Sequence, residues 1–116
     1  MNEVRVAQRF SRHLGGRYKK DGPWSGEAFR DAVLIDSVEK ALRTREPVVI
    51  NFDGVAGTPT SFLEEAFGGL LRARPQWNID DLRSLVRIEA PSTPFLHSFM
   101  TLAYQFMDRE AARQPH

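Results

Sequence analysis

Three hydroxyls crowd the segment that follows the most apolar run of this 116-residue chain: Thr58, Thr60 and Ser61 come shortly after Val48-Val49-Ile50-Asn51-Phe52. Where a strand hands the chain to a helix, hydroxyls of this kind lie beside free backbone amides, which suits them to hold an anion or to accept a phosphoryl group. Ser61 has a plainer role as the helix N-cap. A second group, Arg17, Ser25 and Arg30, brings two guanidiniums toward another expected helix start, where paired hydrogen bonds would clamp a phosphate or a carboxylate. Arg30 also has Glu27 or a neighbouring acid as an alternative partner. Glu64 and Glu65 stand one turn inside the helix that begins at Ser61 and would repel a bound anion. The adjacent pairs Glu64-Glu65 and Asp80-Asp81 diverge by about 100° on a helix, so neither makes a shared-proton dyad. There is no cysteine, and the three histidines are scattered at 13, 97 and 116, without an Asp or Ser partner at any recognised spacing. No catalytic residue, metal site or cofactor is expected.

The elements that must position these residues follow from patterning. Val4-Arg5-Val6-Ala7-Gln8 alternates apolar and polar residues and predicts an opening strand. Leu14 to Pro23 mixes turn formers with basic residues, and Ser25 is placed to cap a helix. That helix is expected to break near Leu34 to Ser37, because Val33-Leu34-Ile35 is an all-apolar run. Residues 48–52 read as a central strand buried on both faces. Ser61-x-x-Glu64 has the form of a capping box, after which Phe62, Leu63, Ala66, Phe67, Leu70 and Leu71 make an apolar stripe. Gly68-Gly69 inside that stripe calls for close packing against the sheet or for a notch where a partner docks, or else marks where the helix ends. Asp80 and Asp81 suit the first turn of a short helix, Leu85 to Ile88 a further strand, and Thr93-Pro94 the start of a last helix that frays after Asp108. The alternation of strands and helices predicts an α/β fold, a small mixed or parallel sheet covered by helices, in a single domain spanning residues 1–116 with its core at about 3–108.

Composition narrows the class. A chain that is 41% hydrophobic and 27% charged is an ordinary globular domain rather than a disordered one. No window is apolar enough for a membrane span and no secretory leader is apparent, so a cytoplasmic protein is expected. Residues 1–24 carry six Lys and Arg against two acids, which leaves the other 92 residues at −3 in a chain of net charge +1. A basic arm without a basic face argues against nucleic acid as the main partner. Trp24 and Trp77 fall in expected loops, where an indole either anchors a partner or packs over the core edge.

Four stretches together carry a resemblance: Gly16-Arg17-Tyr18, Gly22-Pro23-x-Ser25-Gly26-Glu27-x-Phe29-Arg30, Val48 to Val55, and Ser61-Phe62-Leu63-Glu64-Glu65-Ala66-Phe67-Gly68-Gly69-Leu70. Over roughly residues 10–90 the chain resembles the STAS-like domain family of unknown function. The resemblance implies a relation to the STAS domains of anti-sigma-factor antagonists, which act by binding rather than turnover. In them a strand-loop-helix segment is read by a partner kinase of the histidine-kinase-type ATPase class. It places Ser61 on the phosphoacceptor position. It makes Thr58, Thr60, Ser61, Glu64, Glu65 and Gly68 the expected partner-binding and switch residues of a non-enzymatic regulatory module of bacterial-type signalling. The alternative is a domain that senses a nucleotide or another small anion through Arg17, Ser25, Arg30 and the loop from Thr58 to Ser61.

Overall fold

The computed structural model describes residues 2–114. Its centre is a three-stranded parallel sheet in the order β1 (Asn2–Arg5), β2 (Val48–Asn51), β3 (Val86–Glu89). The register pairs Val4 with Ile50 and Ile50 with Ile88. The expected α/β class is what forms, with every strand parallel to its neighbour. The two faces of the sheet differ in kind. Val4, Val48, Ile50, Val86 and Ile88 share one face and belong to the hydrophobic core. Glu3, Arg5, Val49, Asn51, Arg87 and Glu89 share the other, by the alternation of side chains along each strand. Val49 and Asn51 are buried, as expected for a central strand, yet Val49 stands outside the core cluster and its four charged neighbours are exposed. Long charged side chains thus flank the middle of an otherwise open sheet face, their stems covering apolar surface while their heads stay in water.

The opening strand ends earlier than its alternation suggests. Val6–Arg9 forms a helical turn, α1, because the Val6 carbonyl accepts from the Phe10 and Ser11 amides and pulls the chain out of the ladder. Ser25 caps the next helix as expected, its Oγ accepting from the Ala28 amide at 3.1 Å. The break expected near Leu34 to Ser37 does not occur. Helix α2 (Gly26–Phe29) runs through a π turn at Arg30–Leu34 into α3 (Ile35–Thr44). A π turn inserts one residue, so the five-residue step from Phe29 to Leu34 acts as a four-residue step and the apolar run stays on the core side.

The same device recurs in α4 (Thr60–Leu63), a π turn at Glu64–Gly68, and α5 (Gly69–Ala73). Phe62 and Leu70 are eight residues apart, but across the π turn they behave as i and i+7, and both are fully buried. Asn78 caps α6 (Ile79–Leu85), accepting from the Asp80 and Asp81 amides. A 3-10 turn at Pro94–Leu96 leads into α7 (His97–Arg113). Thr93 is not its cap, since its hydroxyl donates to Asp53 instead. Helix α7 also outlasts the point where fraying was expected. Glu110 is buried beneath it, and the Gln114 side-chain amide donates to the Leu71 carbonyl at 2.7 Å. The last two positions of the tail, His116 included, lie outside the described residues.

Candidate functional site

The carboxyl ends of the parallel strands, where α/β sheets carry their sites, are built by two loops that fasten each other. After β2, the Asn51 Oδ1 accepts from the Asp53 amide at 2.8 Å, and the Asp53 carboxylate accepts from the Ser92 amide and the Thr93 hydroxyl. Gly54, with φ of +85°, turns the chain in a region that favours glycine. The segment 54–58 then lies along the segment 11–14. Ala56 donates to the Arg12 carbonyl at 2.9 Å, the Arg12 Nε donates to the Gly54 carbonyl at 3.2 Å, and His13 bridges Gly57. An open recess between them is lined by His13, Leu14, Gly57, Thr58 and Pro59.

The three hydroxyls do not act together. Thr58 is buried and among the described residues its Oγ1 has no hydrogen-bond partner, Thr60 is exposed, and Ser61 is half-buried. Helix α4 begins at Thr60 behind Pro59, and its first amides have no side-chain cap. The expected capping box at Ser61 and Glu64 is therefore absent, because the Glu64 carboxylate turns the other way, to Arg17 and Arg72. Thr60 and Ser61 are left unencumbered in the first turn. Trp24, 45% exposed, packs edge-on against Phe10 at 5.3 Å, and Phe10 in turn packs against Phe62 of α4. The neighbouring Tyr18 is also exposed, with the Lys20 ammonium 5.7 Å from its ring centre. Trp77, by contrast, packs against the core edge with Arg74 over its ring.

The expected anion clamp is already filled by the chain's own acids. Arg17 binds Glu64, and Arg30 Nη1 binds Glu65 Oε2 at 2.5 Å and the Glu65 carbonyl at 3.2 Å. Ser25, fully buried, is spent on its helix cap. Arg72 joins Glu64 at 2.8 Å and Glu110 of α7 at 2.7 Å, so three arginines and three glutamates form one network on the π turn 64–68. Glu65 and Gly68 are buried there, so of the expected partner-binding residues they and Thr58 are not on the surface. Gly68-Gly69 packs neither against the sheet nor as an open notch. A Cβ at Gly68 would meet Glu64 Oε2 at 2.6 Å, and one at Gly69 would meet Arg30 Nη1 at 2.5 Å, so the pair makes room for the ion network. Sequence reasoning missed Arg72 and Glu110, which lie 38 positions apart and carry no local signal of meeting. His97 is engaged by the Ala90 carbonyl at 2.8 Å, and among the described residues no group of three or more metal-ligating side chains converges.

The network has an acid-sensitive member. Hydrogen bonds from Arg72, and then from Arg17, hold the Glu64 carboxyl below its ordinary value. The Arg72 guanidinium is held protonated more firmly than usual, first by its hydrogen bond to Glu64. A carboxyl whose folded pKa is depressed contributes stability above its unfolded value, near 4.5, and loses it as pH falls through the folded value. Melting temperature is accordingly expected to fall steeply below about pH 4.5, and Glu64→Gln to flatten that slope by up to about one proton taken up on unfolding. Thermal melts of both proteins between pH 3 and pH 7 check this; parallel slopes would remove Glu64 from the account.

Among the described residues no helix is long and apolar enough to cross a membrane. The model of the STAS-like domain of unknown function (DUF4325) matches residues 25–94, from the cap of α2 to the start of the 3-10 turn before α7. No curated protein and no solved structure matches the chain at a significant level.

Proposed function

The chain belongs to the family of STAS-like domains of unknown function, and from that premise we propose that it is a non-enzymatic regulatory module. It docks a protein partner through the rim made by loop 53–61 and loop 10–24. The observation that carries this reading is the first turn of α4, where Thr60 and Ser61 stand uncapped on a helix that Phe10 links, through Phe62, to the exposed indole of Trp24. Tryptophan is enriched among the residues that anchor protein interfaces. A hydroxyl on an uncapped helix start is a place where a phosphoryl group gains from the amides while adding roughly −1.5 to −2 charges to the docking rim. Ser61 is the switch position we favour, and an ATPase of the histidine-kinase type is the partner class we expect. The same geometry disfavours the anion-sensing alternative, because Arg17 and Arg30 are held by Glu64 and Glu65.

Amine cross-linking tests the reading directly, since the chain has three lysines and two of them, Lys19 and Lys20, lie on the rim while Lys40 lies on α3. Cross-linking in the native host is expected to join Lys19 or Lys20 to such an ATPase. Trp24→Ala and Ser61→Glu should each reduce the yield about tenfold or more. Cross-links confined to Lys40, or yields indifferent to both substitutions, would defeat the proposed rim.

A further inference from the structure

The outer edge of β1 carries a pairing code for itself. The Phe52 amide donates to the Glu89 carbonyl, so Val48, Ile50 and Phe52 direct their backbone groups toward β3. Val49 and Asn51 then direct theirs toward β1, where they meet the groups of Asn2, Val4 and Val6. The N–H and C=O groups of Glu3 and Arg5 therefore point away from the sheet, and both residues are exposed. The Arg5 carbonyl starts helix α1, but a carbonyl has two lone pairs. Among the described residues the Glu3 amide, the Glu3 carbonyl and the Arg5 amide have no partner. Among the described residues no further strand pairs with this edge, and a recess lined by Glu3, Arg9, Asp36, Ser37 and Lys40 opens between the strand and α3. At the opposite edge of the sheet the chain does supply a cover: the Tyr104 hydroxyl accepts from the Ile88 amide and donates to the Val86 carbonyl.

We propose that the edge of β1 pairs with the same edge of a second copy of this chain, antiparallel and centred on Val4, joining two three-stranded sheets into one of six strands. In that register Glu3 of one copy lies directly opposite Arg5 of the other, twice. Each of these is a hydrogen-bonded pair, and the two pairs supply four backbone hydrogen bonds. The side chains of Glu3 and Arg5 already share the open face of the sheet, where Arg5 Nε donates to Glu3 Oε1 at 2.9 Å. The second copy closes this into a square of alternating charges. Parallel pairing of the same two edges would turn one sheet over and set Glu3 beside Val4, so the order acid, apolar, base favours the antiparallel arrangement. Charged residues on a short edge ordinarily keep sheets apart, and here their order suits one partner only. Four residues make an interface well below the size of stable complexes, so the expected dissociation constant is about 0.1–1 mM.

Sedimentation equilibrium on the full chain without an N-terminal tag, from about 0.05 to 1 mM, tests the pairing. The average mass is expected to climb from the 13.2 kDa of one chain toward twice that value. Arg5→Glu should weaken association about tenfold or more, and the swap Glu3→Arg with Arg5→Glu should restore it to within about threefold of the original. In the unaltered protein, amide exchange at Glu3 and Arg5 should slow as concentration rises, a readout that stands even if a variant folds poorly. A mass that stays at one chain throughout, a swap that fails to rescue in a folded variant, or exchange at Glu3 and Arg5 that ignores concentration would each overturn the proposal.

Discussion

Replacing Gly26 by alanine is expected to lower the melting temperature by more than about 10 °C, the reverse of what a glycine-to-alanine change inside a helix ordinarily does. On an open helix surface alanine is favoured over glycine by about 1 kcal/mol. Gly26 sits instead where α2 crosses α4. A Cβ there would press on the Phe62 carbonyl oxygen far inside van der Waals distance and would lie 3.1 Å from the Phe62 carbonyl carbon and Cα. Those atoms are backbone in a helix whose Phe62 and Leu63 are fully buried, so no side chain can swing aside and the two helices must separate. Overpacking of this kind costs about 3 kcal/mol or more, and in a domain of this size each kcal/mol moves the midpoint by about 4 °C. Gly57→Ala is the control. It has no atom within 4 Å of the new Cβ and no positive φ, and should move the midpoint by less than about 2 °C. Thermal unfolding of the three proteins decides it. A Gly26→Ala protein as stable as the parent would mean that α2 and α4 do not cross so closely.

That crossing illustrates where the sequence was legible and where it was not. Val48 to Phe52 declares a central strand through its unbroken apolar, β-branched run, and Ser25 declares a helix start through its side chain, because both signals are local. The two π turns could not be read in the same way. The stripe from Phe62 to Leu71 and the run Val33 to Ile35 have spacings that fit a plain α-helix poorly. The poor fit suggests a break in one case and reads as a continuous stripe in the other, while the fold absorbs one residue in each. The candidate site divides along the same line. Thr60 and Ser61 emerge at the start of α4 because chain connectivity places them there, and Trp24 reaches that helix by way of Phe10. Arg17, Arg30, Glu64 and Glu65 were each picked out as chemically capable groups, yet their function could not be assigned without knowing that they meet one another. Ser61 and Glu64 stand at capping-box spacing, but two arginines 47 and 8 positions from Glu64 compete for its carboxylate and win, since a charged pair in a half-buried site outweighs a cap worth about 1 kcal/mol.

Arg30→Met should destabilise the protein by about 2–4 kcal/mol, more than any exposed ion pair in the chain is worth, because it strands the carboxylate of Glu65, which is only 8% exposed. Arg17 and Arg72 remain near Glu65 Oε1, at 3.4 and 3.5 Å, but Oε2 and the Glu65 carbonyl lose the group that holds them. Substituting both partners, Arg30→Met with Glu65→Leu, removes the stranded charge along with its partner and should recover most of the loss. Gly69 then reports on the geometry. A Cβ at this position meets Arg30 Nη1 at 2.5 Å and Cδ at 3.3 Å, so Gly69→Ala in the parent must push the guanidinium off Glu65 and is expected to cost about 2 kcal/mol. In the Arg30→Met, Glu65→Leu background the guanidinium is gone, and the same change falls to near zero or turns stabilising, as alanine in a helix should. The coupling between the two sites in a denaturant-unfolding cycle is thus expected to be about 2 kcal/mol. Strict additivity would show that Gly69 is glycine for a reason other than the arginine beside it.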